Sequence, residues 1–354
     1  YYYLTVKDGK LQDVIYDVDT VFGYDLSLMT PVRFIDGGID NVLGKEQCFA
    51  NKVPCGFTPF KTQLDDGEEF SFDTMMGFAG SVDQINAKID TFCKEGYLQD
   101  KFVEAEELAE SFTSDVKTHT AAGKFDQYIE QCYLDNFLRG GYPYVLNKDG
   151  NKSIIHLFSR KHGDPERDYN FFSIAAEYYS QGNGNFRDVS QNRRNDVFFN
   201  KDVGDFNVKT FFSLVQADGY NPLEVRPSLF NVIEGKEEEV KAYVKESIDG
   251  DASAIVKIVE GKFTPGQISN TIARLQLNLK VDDGEFIANI LNNCNQNIEA
   301  GFGEGYWSDH WDYNMDLVDN YLSVFPDKKD QFLFGDDTYK FYDSVAYVSS
   351  PNRN

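Results

Sequence analysis

The first eighty residues alternate between apolar and polar positions in short runs broken by turns. Tyr2, Leu4 and Val6 fall on one side of a period-two pattern that ends at Lys7-Asp8-Gly9-Lys10. Farther on, Phe60-Lys61-Thr62-Gln63-Leu64 leads through Asp65-Asp66-Gly67 into Glu69-Phe70-Ser71-Phe72. Alternation around Asp-Gly turns predicts antiparallel strands. The run FKTQLDDGEEFSFDTMMGFA therefore reads as the closing edge of a β-sandwich. From Ser81 the period changes: Ile85, Ile89 and Phe92 stand at helical spacing, and the Glu- and Ala-rich stretch from Lys101 to Lys117 predicts a solvent-facing connecting helix.

Beyond Gly123 helical spacing dominates. It runs through Tyr128, Cys132 and Asp135, and through Tyr169, Phe172, Ala176 and Tyr179 behind an Asp164-Pro165 start. Thr264-Pro265 opens a helix carrying Ile268, Ile272 and Leu275, because proline is at home at the first helical position. Met315, Val318, Leu322 and Phe325 predict the core-facing stripe of a last helix that stops before Pro326. Successive helices joined by long polar loops predict an α/α toroid. The expected organisation is multidomain, β then α: a sandwich segment over residues 1–82, a helical linker over 83–124 and a helical domain over 125–354. The segment between Tyr179 and Val208 far exceeds the usual ~4–6 residue connection, and long loops in compact domains carry function.

Composition narrows the classes. With 41% hydrophobic and 15% aromatic residues, the 354-residue chain can bury a large core. A formal charge of −24 repels nucleic acid and anionic lipid, so neither a nucleic-acid partner nor a membrane is expected. No apolar run reaches the ~18 residues a membrane helix needs. Five scattered cysteines, Cys48, Cys55, Cys93, Cys132 and Cys294, have neither zinc-site spacing nor disulfide density and fit a reducing, cytoplasmic setting. His156 and His162 lie six apart, which is no ligand spacing on a helix, so no metal is expected. The start YYYLTVKDGK has no methionine and no signal-peptide pattern, and the natural start is expected upstream.

Two segments concentrate the chemistry. GFGEGYWSDHWDYNMD, from Gly301 to Asp316, holds both tryptophans of the chain among carboxylates. Asp309 can be a helix cap, with Asp312 and Asp316 complementing the helix dipole and the rings forming core. It can equally be a carboxylic acid held between aromatic rings, raised in pKa and able to protonate a glycosidic oxygen. NFRDVSQNRRNDVFF, residues 185 to 199, offers Asp188, Asn192, Asn195 and Asp196 to sugar hydroxyls, with Arg187, Arg193 and Arg194 as a basic cluster. A solvated loop of Arg–Asp pairs would use the same residues. GNGNF and GFGEG match no phosphate-loop pattern.

These segments together resemble a family. The sandwich edge, the linker, the Phe-Arg-Asp loop and the Gly-Tyr-Trp-Ser-Asp segment are similar to the inverting glycoside phosphorylases of the cellobiose phosphorylase type, glycoside hydrolase family 94. QGNGNFRDVSQNRRNDVFFN and GYWSDHWDYNMDLVDNYL most resemble the 1,2-β-oligoglucan phosphorylase branch. The resemblance implies the C-terminal part of a supersandwich, a helical linker and the first part of an (α/α)6 barrel, an internal piece of a longer enzyme that alone is expected to be inactive. It implies Asp309 as general acid, with Ser308 where the family has Asn, and Trp307 beside it. Asp188 and Arg187 are implied to hold the transferred ring, with Trp311 nearby and Asp312 as a rival acid. Arg193 and Arg194 are the cations offered to phosphate. The implied reaction needs no cofactor beyond inorganic phosphate as co-substrate, and turns a β-linked, expectedly β-1,2, glucooligosaccharide into α-glucose 1-phosphate. An inverting β-glucan hydrolase and a non-catalytic sugar-binding module stay open, and a homodimer is compatible with the chain.

Overall fold

The computed structural model describes residues 1–147, 150–159, 177–303 and 307–351. The expected helix behind Asp164-Pro165, together with His162 and with Glu304, Gly305 and Tyr306, lies outside the described residues. The chain divides into two compact units, residues 1–108 and 109–354, and that boundary falls within the expected linker.

Unit 1 is built on β1 (Tyr2–Lys7), β2 (Lys10–Leu11) and β3 (Asp73–Gly77) in the order β2-β1-β3. Asp8 and Gly9 both hold positive φ, 52° and 71°, which closes the β1–β2 hairpin as the Asp-Gly pair predicts. β3 pairs antiparallel with β1 from Tyr2↔Gly77 to Val6↔Asp73. A Cβ at Gly77 would lie 2.6 Å from the tip of the Tyr2 ring, so a larger residue there would make that ring turn aside. The expected hairpin over 60–72 is corrected: Asp66-Gly67 does turn, but its flanks form no ladder, and the strand begins at Asp73. The rings of Phe60, Phe70 and Phe72 cluster across the turn instead, with centroids 4.8–6.0 Å apart. Helices α1 (Asp19–Phe22), α2 (Val32–Gly37), α3 (Val82–Asn86) and α4 (Ile89–Phe92) are short, and α5 (Tyr97–Thr113) is the predicted charged helix. Ile15, Val21 and Val42 form the small core.

Unit 2 opens with α6 (Gly123–Gly140), which feeds a hairpin of β4 (Tyr142–Leu146) and β5 (Ser153–Leu157). This hairpin corrects the expectation of uninterrupted helix. Next come β6 (Gly184–Asn185), α7 (Phe186–Arg193), α8 (Asp196–Phe199) and α9 (Phe206–Ser213), so the long predicted loop is largely helical. The chain then passes through β7 (Glu224–Val225) and β8 (Leu229–Val232). It makes a helical excursion: α10 (Glu237–Ser247), β9 (Ile248–Asp249), α11 (Ser253–Val259), α12 (Pro265–Leu275), β10 (Asn278–Leu279) and α13 (Asp283–Leu291). It returns through β11 (Cys294–Asn297), antiparallel to β8, and β12 (Ala300–Gly301), antiparallel to β7. Helix α14 (His310–Val324) follows.

Two cores result. One joins α10 to α13 under the β4–β5 hairpin, with Ile155, Phe230, Val244, Ile255, Ile268, Phe286 and Ile290 sealed from solvent. The other joins α7, α9 and α14 through Phe186, Val189, Phe211, Leu317 and Tyr321. Of the stripe predicted for α14, Val318, Leu322 and Phe325 pack partly buried against this second core, but the helix turns a different face fully inward. Its buried face is His310, Asn314, Leu317 and Tyr321, whereas Met315 is 50% exposed. Neither a second sheet layer in unit 1 nor a closed ring of helices in unit 2 is found among the described residues.

Candidate functional site

The small sheet β12-β7-β6 explains how two segments more than a hundred residues apart come together. β6 leads directly into α7, and β12 is the last strand before α14. Both pair with β7: Gly184↔Val225 and Ala300↔Val225 share one partner residue. The closing of the helical excursion thus brings the Trp307–Asp309 turn beside the first turn of α7.

Arg187 and Asp188 stand on that first turn. Arg187 Nη1 lies 3.8 Å from Asp309 Oδ2, and Arg187 Nε lies 4.0 Å from Asp188 Oδ1. Asn185 Nδ2 donates to Asp188 Oδ2 at 3.3 Å. The Arg187 side chain is 47% exposed and Asp188 only 14%, so a loosely held cation sits between a half-exposed and a largely buried carboxylate. Asp309 occupies the position before α14, yet its side chain caps no backbone N–H, so the capping alternative is not realised.

The turn itself is clamped from below. His310 is buried, its ring stacked on Phe186 with centroids 4.8 Å apart and its Nδ1 2.8 Å from Asn221 Oδ1. Asn221 Nδ2 also donates to the Trp307 carbonyl at 3.2 Å, tying both ends of the Trp307–His310 turn to one amide. Burial lowers the His310 pKa to about 4, with Asp309 opposing and Arg187 reinforcing the shift, so the imidazole is neutral near pH 7. Trp307 is 41% exposed and presents an open ring, whereas Trp311 packs edge-on against Phe212 at 6.4 Å. Asp312 is exposed on the first turn of α14.

The arginines expected at phosphate are engaged within the protein. Arg193 is buried and its Nε donates to the Gly140 carbonyl at 2.6 Å. Arg194 pairs with Asp316 on α14 and lies over the Tyr313 ring at 5.8 Å. Beneath them is a buried polar cluster that periodicity does not announce. His156 Nε2 and Asp196 Oδ2 are 2.9 Å apart, and Asn207 Nδ2 donates to the same oxygen at 2.8 Å. Burial pushes the Asp196 carboxyl up to about 7, opposed by Asn207 and Arg193. Burial, with the Arg193 charge, holds His156 well below its usual value. The signal for this cluster was Asp196 in the asparagine-rich run, but its partner lies on a hairpin that the helical pattern hid.

No group of three or more His, Cys, Asp or Glu able to hold a metal occurs among the described residues, and no described helix is long and apolar enough to cross a membrane. Comparison with protein-family models, curated proteins and solved structures finds no match.

Proposed function

We propose that the protein is an inverting glycoside phosphorylase of the cellobiose phosphorylase type, acting on β-linked, in particular β-1,2, glucooligosaccharides through a sandwich-and-(α/α)6-barrel architecture. The observation that carries this is the meeting of Arg187 and Asp188 with Asp309 and Trp307 across the α7–α14 contact. Phosphate is itself the nucleophile in such a reaction, so one positioned carboxylic acid suffices. A phosphate oxygen attacks C1 from the face opposite the leaving group as the C1–O bond breaks. Asp309 delivers its proton to the departing oxygen, and the products are α-glucose 1-phosphate and a shortened oligosaccharide. Trp307 offers a ring for the sugar face, and Asp188 accepts from its hydroxyls. With a net charge of −24, phosphate requires local cations. Arg187, loosely held and 47% exposed beside Asp309, is the arginine of this contact offered to it, since Arg194 is already paired with Asp316.

The test incubates the full reading frame with β-1,2-glucooligosaccharides, with and without inorganic phosphate. Phosphate-dependent release of α-glucose 1-phosphate is expected. Asp309→Asn should lower the rate by about 10²–10⁴-fold, the usual contribution of a positioned general acid. Equal sugar release without phosphate would refute phosphorolysis, and full activity of Asp309→Asn with loss in Asp312→Asn would move the acid to Asp312.

A further inference from the structure

The two glycine-rich stretches that match no phosphate loop supply the outer strands of the small sheet beside the Asp309 turn. Asn183-Gly184-Asn185 enters β6, Gly301 ends β12, and β7 runs between them with Glu224 at its start. Glu224 stands opposite Asn185 on one side and opposite Gly301 on the other. Directly opposed residues of antiparallel strands project from the same face of a sheet. Glu224 therefore shares its face with Asn185, and glycine leaves the third position bare.

The carboxylate lies in the space that glycine leaves. A Cβ at Gly301 would stand 2.7 Å from Glu224 Oε2 and 3.2 Å from Glu224 Cβ. Asn183 Nδ2 donates to Oε1 at 2.8 Å, and Arg226 Nε lies 3.5 Å from Oε2. The Glu224 side chain is 21% exposed, so it is held in place and still reachable. On the other flank Asn185 Nδ2 donates to Asp188 Oδ2, and Arg187 on the same helical turn reaches toward Asp309. Glu224, Asn185, Asp188 and Asp309 thus form one run of hydrogen-bonding groups from the sheet to the start of α14.

That run has a polarity. An ionised carboxylate only accepts, at about four lone-pair positions, so Glu224 has capacity for hydroxyl donors beyond the Asn183 amide. It repels phosphate, whereas the Arg187 guanidinium attracts it. The amides of Asn183 and Asn185 both donate and accept, which suits a polyol on either side of the carboxylate. We propose that Glu224 is a specificity-determining residue of the site, accepting hydroxyls of the glucosyl residue on the sheet side of Asp188 and leaving the Arg187 end to phosphate, an assignment that rests on reading the Asp309 turn as a sugar site.

Steady-state phosphorolysis of β-1,2-glucotriose by the full reading frame gives the first test. Glu224→Ala should raise KM about 10–100-fold, the worth of hydrogen bonds to a charged group, and leave kcat nearly unchanged, as loss of uniform binding does. Glu224→Gln keeps an acceptor and should recover part of that loss. Gly301→Ala keeps the carboxylate but fills the space it occupies, and should raise KM as well. The second test titrates β-1,2-glucotriose calorimetrically into the Asp309→Asn protein, in which turnover is suppressed; adding Glu224→Ala should weaken binding by the same factor. If Glu224→Ala melts below the parent, Glu224→Gln and Gly301→Ala carry both comparisons. Affinity indifferent to these changes, or a fall in kcat at constant KM, overturns the role of Glu224 and leaves the Asp309 reading standing. Trisaccharide binding that depends on Glu224 without any phosphorolysis upholds that role and overturns the phosphorylase, and no binding at all overturns both.

Discussion

The two cores of unit 2 differ in what they bury. In the helices of the α10–α13 core the buried polar side chains are Ser247, Ser269 and Thr271, three small hydroxyls, of which Ser269 Oγ has no partner among the described residues. In the α7, α9 and α14 core they are Ser190, Arg193, Asn207, Thr210, His310 and Asn314. The first core buries only small hydroxyls in its helices, whereas the second also spends interior positions on a guanidinium, an imidazole and amides, which cost more free energy to desolvate. Polar heads fixed in an interior hold a turn at one geometry, as Asn221 and His310 hold Trp307–Asp309. The first core is organised for stability, the second for position.

The largest effect should come from the apolar core. Phe286 is fully buried and stacks on Tyr243 with centroids 5.8 Å apart. Phe286→Ala should cost about 3–5 kcal/mol, a large share of the roughly 5–15 kcal/mol that holds a domain folded. The urea midpoint reads this directly. A loss below about 1 kcal/mol would mean that the site collapses around the gap and is not tightly packed.

Next in size is a pH effect in the polar core. Between about 4 and 6.5 the unfolded chain has Asp196 ionised and His156 protonated. In the folded state burial reverses both, giving a protonated Asp196 and a neutral His156. The proton counts are equal, so the pair adds no pH slope there. His156→Asn removes one side of the balance and keeps an amide donor beside Asp196. The folded state then holds one proton more than the unfolded one from about pH 4 to the Asp196 value of about 7. Stability of the variant should therefore fall as pH rises through that window, by up to about 1.4 kcal/mol per unit. Urea midpoints of both proteins at pH 5, 6 and 7 decide it, and a flat profile for the variant would show that Asp196 is ionised in the fold.

Asn314 gives a third contrast. It is 1% exposed, and neither its Oδ1 nor its Nδ2 has a partner among the described residues. Replacing an unsatisfied buried amide by an apolar group of similar size recovers about 1–3 kcal/mol. Asn314→Leu should raise the melting temperature, whereas the same change at Asn221, whose Nδ2 donates to the Trp307 carbonyl and whose Oδ1 meets the His310 ring, should lower it. A lower melting temperature for Asn314→Leu would show that the amide is satisfied after all.

The same contrast explains what was legible in the sequence. Helix α12 announces itself because Thr264-Pro265 and the apolar Ile268 and Ile272 obey one period and one cap rule. Helix α14 was legible as a helix, and Val318, Leu322 and Phe325 of its predicted stripe do pack on the core, but its fully buried face was not legible, since His310 and Asn314 occupy core positions that hydrophobicity assigns to the surface. Met315, apolar and half exposed, completes the misdirection. The segments that meet at Arg187 and Asp309 could be picked from residue types alone. Their approach depends on β7 pairing with both β6 and β12, two-residue strands that leave no periodic trace. The hairpin carrying His156 was lost for a related reason: Ser153-Ile154-Ile155-His156 is buried at every position and so does not alternate.

The smallest expected effect compares two helix starts. At α12, Thr264 Oγ1 accepts from Gln267 N at 3.2 Å and Gln267 Oε1 accepts from Thr264 N at 2.9 Å, a reciprocal box ahead of Pro265. Thr264→Ala removes one half and should cost about 1 kcal/mol, while Thr264→Ser keeps the acceptor and should cost a few tenths. At α14 the equivalent position is Asp309, whose carboxylate makes no such bond. Asp309→Asn should therefore leave the melting temperature within error of the parent while it removes the proposed proton donor. A stability loss at Asp309 equal to that at Thr264 would mean that the carboxylate serves the helix in solution, and the distinction between a start built for stability and one left open for chemistry would fail at the residue where it matters most.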